Sequence, residues 1–531
     1  MKRTTLSLFG AVAALAAATG LAVVAEPAGG AGTTPAKAAS RQPVQRSAAL
    51  CPAPTSSDVG ETVYTAFTPP TTGASGGKAA ADLLAAAPGK KDDAVTDAAK
   101  EAGKDAGKDG AKKDGKDGKD GKSKSDGKGA TAPGTSVLAP KEPGKPATAG
   151  TGRSDAPALI GAAEGALAPG WTVQQSTVVS AGSGRGLHGL TCTAPDTSFW
   201  FPGVSTAKGR QDYVHLTNPD TTAAVVDLEL YGKDGRIRSA AGEGVTLPPR
   251  STVPVLLSTL ADTPAESATL HVAARSGRVG AAVQASDEKL GGDWLPASAE
   301  PAADAVLPGI PADATSVRLI AFAPGTDDAD LRLRFAGPSG SITPAGHETL
   351  HVKSGMTEAV DLGDVAKGET GSLLLTAEGA KSPVVAALRV TRGKDDKQET
   401  AFIPATAPVE RRGTVADNRA KGSALTLVAP GKEAAEVKVT SSAGSEGGTA
   451  VSKTYTVKPG TTLAVEPPQP SGLKGTYAVT VEKVSGGPVH VSRTLSLPKD
   501  GVPMFTVQPV PDDRSTVAVP TVGQDLSMLN R

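Results

Sequence analysis

Aromatic side chains make up only 3% of the 531 residues, which leaves few candidates for a ring-lined binding surface. The best are Trp200 and Trp294, with Phe201 and Tyr213 nearby, because aromatic faces stack on sugars. Rings of this size at module boundaries are also ordinary fillers of core gaps. Net charge is missing as well. Lysine plus arginine number 55 and aspartate plus glutamate 55, so no long-range field draws the chain to nucleic acid or to an anionic membrane surface. Cysteine occurs only twice, at Cys51 and Cys192. In an exported chain two cysteines imply one disulfide between them.

Long apolar runs are absent beyond the N-terminus, where Lys2 and Arg3 precede the stretch Leu6 to Val24 and Val23-Val24-Ala25 supplies small residues suited to signal peptidase. The run predicts export. It ends either in cleavage, giving a signal peptide over 1–25, or in retention as an N-terminal membrane anchor, since its length approaches what a bilayer requires. Cys51 follows Leu50 well beyond this run, which argues against a lipoprotein. The C-terminal QDLSMLNR has no apolar tail of the wall-sorting kind.

What is abundant is glycine (63) and proline (42). The run KEAGKDAGKDGAKKDGKDGKDGKSKSDGKG, residues 100–129, cannot repay the entropy of folding. A disordered insert is therefore expected over about 71–157. The Asp114, Asp117, Asp120 spacing has period three, whereas an EF-hand loop places oxygen ligands at every second position. The Gly115, Gly118, Gly121 triplets are too few, and too poor in proline, for collagen.

From Ser198 to Asp512 one unit is written three times. Thr252, Thr357 and Thr462 lie 105 residues apart, and Val255, Val360 and Val465 keep the same step. Pro202 and Pro308 open units, while Pro296, Pro404 and Pro509 close them. Within each unit, short alternating runs such as AAVVDLELYG, LRLRFAG and AEVKVTS predict strands with one buried face. YGKDGRI predicts a hairpin turn at Asp234-Gly235. About seven strands per unit suit an immunoglobulin-like sandwich, in architecture only, because no unit has its own cysteine pair. The expected organisation is all-β: signal segment or anchor 1–25, linker 26–46, N-terminal β segments 47–197 carrying the insert, and three tandem modules over 198–300, 301–407 and 408–531. The segments around the two cysteines should pair with each other or with the first module.

His347, Glu348 and His351 have the spacing H-E-x-x-H of a zinc peptidase. The repeat argues against that chemistry, because position 351 corresponds to Thr246 and Thr456 on a strand. Two histidines four residues apart on a strand sit about 13 Å apart at roughly 3.3 Å per residue, too far to share an ion. Gly73-Ala74-Ser75-Gly76-Gly77 fits G-x-S-x-G without a strand-to-helix elbow. Gly184-Arg185-Gly186-Leu187-His188-Gly189 fits G-x-G-x-x-G, but LTCTAP follows where a phosphate site needs a helix. His215, His271 and His490 fall in alternating runs as ordinary strand positions. No catalytic residue, metal or cofactor is expected.

The run FWFPG…VHLTNPDTTAAVVDLELYGKDGRI…LPPRSTVPVLLSTL…LHVAARSGRVGAAVQAS…DWLPA resembles an exported actinobacterial family catalogued as a domain of unknown function, often encoded near envelope glycosyltransferases. The resemblance spans roughly Cys51 to the C-terminus outside the charged insert, and brings no activity or catalytic residues. The expected function is a non-enzymatic, extracytoplasmic scaffold or binding protein. It would be secreted or membrane-anchored facing the wall, and would contact an envelope polymer or another exported protein. The alternatives are a carbohydrate-binding module and a zinc hydrolase using His347, Glu348 and His351.

Overall fold

The computed structural model describes residues 40–74, 79–89 and 131–519. The expected signal segment, the charged run 100–129 and Ser75 of the G-x-S-x-G match lie outside the described residues. Among those described, all regular structure is strand apart from four 3-10 turns. Alternation is the reason. In Ala224–Gly232 every second residue is buried, and Ala329–Ala336 repeats the pattern, so each strand offers one apolar face that must be covered by a second sheet.

Each repeat answers with two facing antiparallel sheets. In the first, one sheet is Ser198–Val204, Ala268–Ser276, Ala224–Gly232 and Gly235–Ile237, with Val245–Leu247 also pairing to Ala224–Gly232. The other is Gly291–Leu295, Gly280–Asp287, Arg210–Thr217 and Ser251–Leu256. Phe201, Val214, Leu228, Leu270 and Val283 fill the space between, each fully buried side chain of this kind stabilising by about 1.5–3 kcal/mol. The second and third repeats keep the same strand order. The architecture is the expected sandwich. The last two strands of the first repeat, Gly280–Asp287 and Gly291–Leu295, pair in one sheet, and Ala268–Ser276 before them lies in the other.

The Pro-Gly landmarks are β-bulges. The ladder shifts register between Pro202 and Val204 and again between Pro308 and Ile310. The intervening Gly203 and Gly309 have φ of 106° and 107°, a conformation that a side chain would strain.

The N-terminal region forms a fourth sandwich. Its sheets are Gly186–Thr191, Thr172–Val179, Gly60–Phe67 and Ala147–Thr151 against Arg46–Cys51, Leu159–Glu164, Ala80–Ala85 and Ser136–Leu138. The Cys51–Cys192 disulfide joins the end of a strand in one sheet to the residue following a strand in the other. Three of these strands fall inside the span 71–157 expected to be disordered, and this corrects the extent of that expectation. AADLLA buries Ala81, Leu83 and Ala85. Its alternation is hidden in Ala/Gly-rich sequence, and the apolar surface it needs comes from Leu159–Glu164, some 75 residues away.

The segments around the two cysteines pair with each other, Gly60–Phe67 with Thr172–Val179. Ala87–Pro88, from the span expected to be disordered, adds in parallel to Ser251–Leu256 of the first repeat. The junctions then recur. Thr357 Oγ1 donates to the Tyr231 carbonyl at 2.7 Å and sits 3.0 Å from Thr269 Oγ1. Thr462 Oγ1 donates to the Ala336 carbonyl at 2.7 Å and sits 3.0 Å from Ser372 Oγ. The third repeat packs in turn on the N-terminal sandwich through Phe67, Ala416 and Ala478. Four sandwiches thus form a closed cycle of contacts. The closing strands Gly186–Thr191, Gly291–Leu295, Glu399–Pro404 and Phe505–Pro509 pack on one another where all four meet. A Cβ on Gly189 would come 2.4 Å from the Thr506 side chain, so only glycine permits that approach. Separately, Ser40–Pro43 pairs with Thr516–Val519 as a two-stranded ribbon.

Candidate functional site

The aromatic candidates do not assemble into an exposed platform. Trp294 and Phe201 are fully buried. Phe201 alternates with Trp200 and therefore faces the core of the first repeat, while Trp294 packs with Leu190 and Ala282 against the N-terminal sandwich. Tyr213 is half-buried, its ring 6.4 Å from that of His215. Trp200, also half-buried, lies flat on His271 at 3.8 Å and 8°, and 5.5 Å from Phe322 of the second repeat.

His351 is placed as the repeat implied. His351 lies on the strand Thr349–Val352 opposite Asp330. The equivalent pairs in the other units are Thr246 with Val225 and Thr456 with Glu436. His347 precedes the strand in a turn, its N–H donating to the Pro344 carbonyl. His351 Nδ1 is 2.8 Å from an oxygen of Asp330, and Nε2 is 3.4 Å from Asp328. The Asp330 bond and the two carboxylate charges raise the pKa of this exposed ring. Among the described residues no group of three or more His, Cys, Asp or Glu is arranged to hold a metal ion. The G-x-G-x-x-G match leads into the strand Gly186–Thr191, with His188 buried on it.

The most concentrated polar chemistry lies where the four sandwiches meet. Gln174 Oε1 accepts from Arg493 at 3.1 Å and from the Asp417 N–H at 2.8 Å, and its amide donates to Gln508 at 3.3 Å. Asp417 accepts from Ser176 Oγ at 2.7 Å and from Arg419 Nε at 2.8 Å. Nearby, Asp293 accepts from the N–H groups of Gly189 and Trp294 at 2.9 and 2.7 Å, and Glu399 from that of Leu187 at 2.9 Å. These bonds tie all four sandwiches together.

Burial sets the protonation of this cluster. It pushes the Arg493 guanidinium down to about 10, against the pull of the Asp417 charge. It raises Asp293 well above the carboxylate range, with three hydrogen bonds opposing and Glu399 adding to the rise. It lifts Glu399 to about 7, opposed by the Leu187 N–H and Arg185. A neutral Asp293 and a readily protonated Glu399 suit an interior where two ionised carboxylates would repel.

None of these residues was singled out from sequence, although each carries a readable sign. Asp293 is two residues from core Leu295, Glu399 from Ala401, Asp417 from Val415, and Arg493 from Val491. Each is a charged side chain at an inward position of its strand, and buried polar residues are the informative exceptions.

A chain of this construction is a multi-sandwich β protein whose modules are cross-tied at a buried polar centre. It belongs to the Family of unknown function (DUF5719), whose model matches residues 147–468, more than half of the chain. The match runs from the strand Ala147–Thr151 to just past Thr461–Val465. No curated protein and no solved structure matches the chain.

Proposed function

We propose that this is an exported structural or interaction protein of the actinobacterial cell envelope, acting outside the cytoplasmic membrane. Its partner on this reading is a wall polymer, an envelope polysaccharide or another exported protein. The observation that carries the reading is the closure of the cycle. The N-terminal sandwich bonds to the third repeat through Ser176 and Asp417 at 2.7 Å, so the immunoglobulin-like modules hold one another in fixed relation and their turns become a preset array of contact loops. The Cys51–Cys192 disulfide is compatible with an oxidising compartment. Among the described residues no helix is long and apolar enough to cross a membrane, and the N-terminal segment would supply export or anchoring. The family resemblance to proteins encoded beside envelope glycosyltransferases favours a polymer-handling setting.

The test is a deletion strain. Loss of the protein should alter envelope integrity or polymer attachment. Re-expression of a variant with alanine at His347, Glu348 and His351 should restore it as well as the natural chain does. A triple variant that folds and is exported yet fails to complement would overturn the reading.

A further inference from the structure

The first repeat carries one constellation that the other two lack. Ser198, on the edge strand Ser198–Val204, has its hydroxyl 3.1 Å from His271 Nε2. His271 Nδ1 is 3.0 Å from Glu229 Oε2. Glu229 is itself held from two further sides, by the Tyr231 hydroxyl at 3.0 Å and by Arg236 at 2.9 Å. An ionised carboxylate only accepts hydrogen bonds, so the imidazole proton sits on Nδ1 and leaves Nε2 free to accept the serine proton. The carboxylate is the stable form here. Burial disfavours the Glu229 charge, but the His271 and Tyr231 bonds and the Arg236 charge outweigh it and hold the pKa below its ordinary value.

We propose that Ser198 is a nucleophile for acyl transfer from short-chain carboxylic esters, with His271 as general base and Glu229 as the residue that positions it. The inference goes beyond a scaffold role and against the sequence expectation of no enzyme. The three residues lie far apart along the chain, and adjacent strands bring them together in one sheet.

Three observations support this. The first is geometric order: a nucleophile, a base and an orienting carboxylate in succession, each within hydrogen-bond reach of the next, is the mark of an activated serine. The second is that junction packing does not require it. The row Trp200, His271, Glu229 corresponds in the second repeat to Val306, Leu374 and Arg334. There Val306 and Leu374 pack with Ala336 and Val428 across the next junction. In the third repeat the same row is Thr414, Thr480 and Thr440. The third is access: Ser198 and the Ala273 opposite it are only partly buried. Ala273 sets only a methyl opposite Ser198 in the ladder, while Trp200 against His271 supplies one apolar wall.

In the reaction, Ser198 Oγ attacks the ester carbonyl carbon as its proton passes to His271 Nε2. The bond to the alcohol oxygen breaks, and that oxygen leaves with the proton from His271. Water then attacks the acyl-serine, gives a proton to His271, and releases the carboxylic acid and the original hydroxyl.

The test uses the full exported chain, a fluorophosphonate probe and p-nitrophenyl acetate, with peptide mapping of the adduct. Ser198 should carry the phosphonyl group, and Ser198→Ala should lose both adduct and esterase turnover without a change in melting temperature. His271→Gln should slow labelling by about 10²–10⁴-fold. Glu229→Gln should lower kcat with KM and melting temperature both unchanged, so that the loss is not one of folded protein. An unlabelled Ser198 in folded protein, under conditions that label a serine-protease control, overturns the proposal. So does turnover that survives Ser198→Ala. Either failure leaves the scaffold reading standing, because complementation by the H-E-x-x-H variant tests that reading independently.

Discussion

The hydroxyl of Thr462 donates to the carbonyl of Ala336 at 2.7 Å, so the landmark threonine of the third repeat is bonded to the second. Thr357 makes the same bond to Tyr231, 105 residues earlier at both ends. At Thr252 the junction uses backbone instead, with the N–H of Gly89 donating to the Thr252 carbonyl. The period read along the chain is therefore also the period of its joints.

Thr462→Val keeps the shape and leaves the Ala336 carbonyl without this partner. Such a loss costs about 1–3 kcal/mol, and Thr357→Val should cost a similar amount. Denaturant unfolding of the two single variants and the double variant checks this. Additive losses are expected, because the joints lie in different module pairs.

Reduction of Cys51–Cys192, or Cys51→Ser with Cys192→Ser, should destabilise the N-terminal sandwich. The cysteines are 141 residues apart, and closing so long a loop is worth about 5 kcal/mol in the chain-entropy model. Melting curves with and without reductant should separate, and the strands Arg46–Cys51 and Gly186–Thr191 should gain hydrogen exchange first.

Glu399 gives a pH dependence of defined sign. Its folded pKa of about 7 lies above the ordinary 4.5, so the native state binds the proton more tightly than the unfolded chain does. Stability from this group is fully present below pH 4.5, falls as pH rises toward 7, and is flat above that. The loss amounts to about 3 kcal/mol. Glu399→Gln should therefore be more stable than the natural chain at pH 8, with the difference vanishing near pH 4. Chemical unfolding at the two pH values measures it.

Asp417→Ala should cost about 3–5 kcal/mol, because it breaks the ion pair with Arg419 at a fully buried carboxylate and also removes a charge that favours the buried Arg493 guanidinium. Replacing Arg493 by Met in the same chain should recover part of the loss. Failure of the second change to recover any stability would show that the charge pair is not the source of the effect.

Legibility followed the range of the interactions involved. The alternation in AVVDLELYG and LRLRFAG placed strands correctly, and the repeat step put His351 on a strand, which the fold then sets opposite Asp330. Local pattern failed for AADLLA, whose partner strand is distant in sequence. The burial of Trp294 likewise depends on Leu190 of the N-terminal sandwich, beyond any local window.

The sequence by itself determined the strand content, the period of 105 residues and the single possible cysteine pair, because side-chain alternation, proline and glycine positions and cysteine number act within a strand or a turn. Only the tertiary structure decided that the N-terminal segments form a fourth sandwich and that the cycle closes. It alone joined Ser176 to Asp417 and lined up Ser198, His271 and Glu229. Those relations depend on which sheet faces which and on strand register between segments tens to hundreds of residues apart, and no window along the chain encodes that distance.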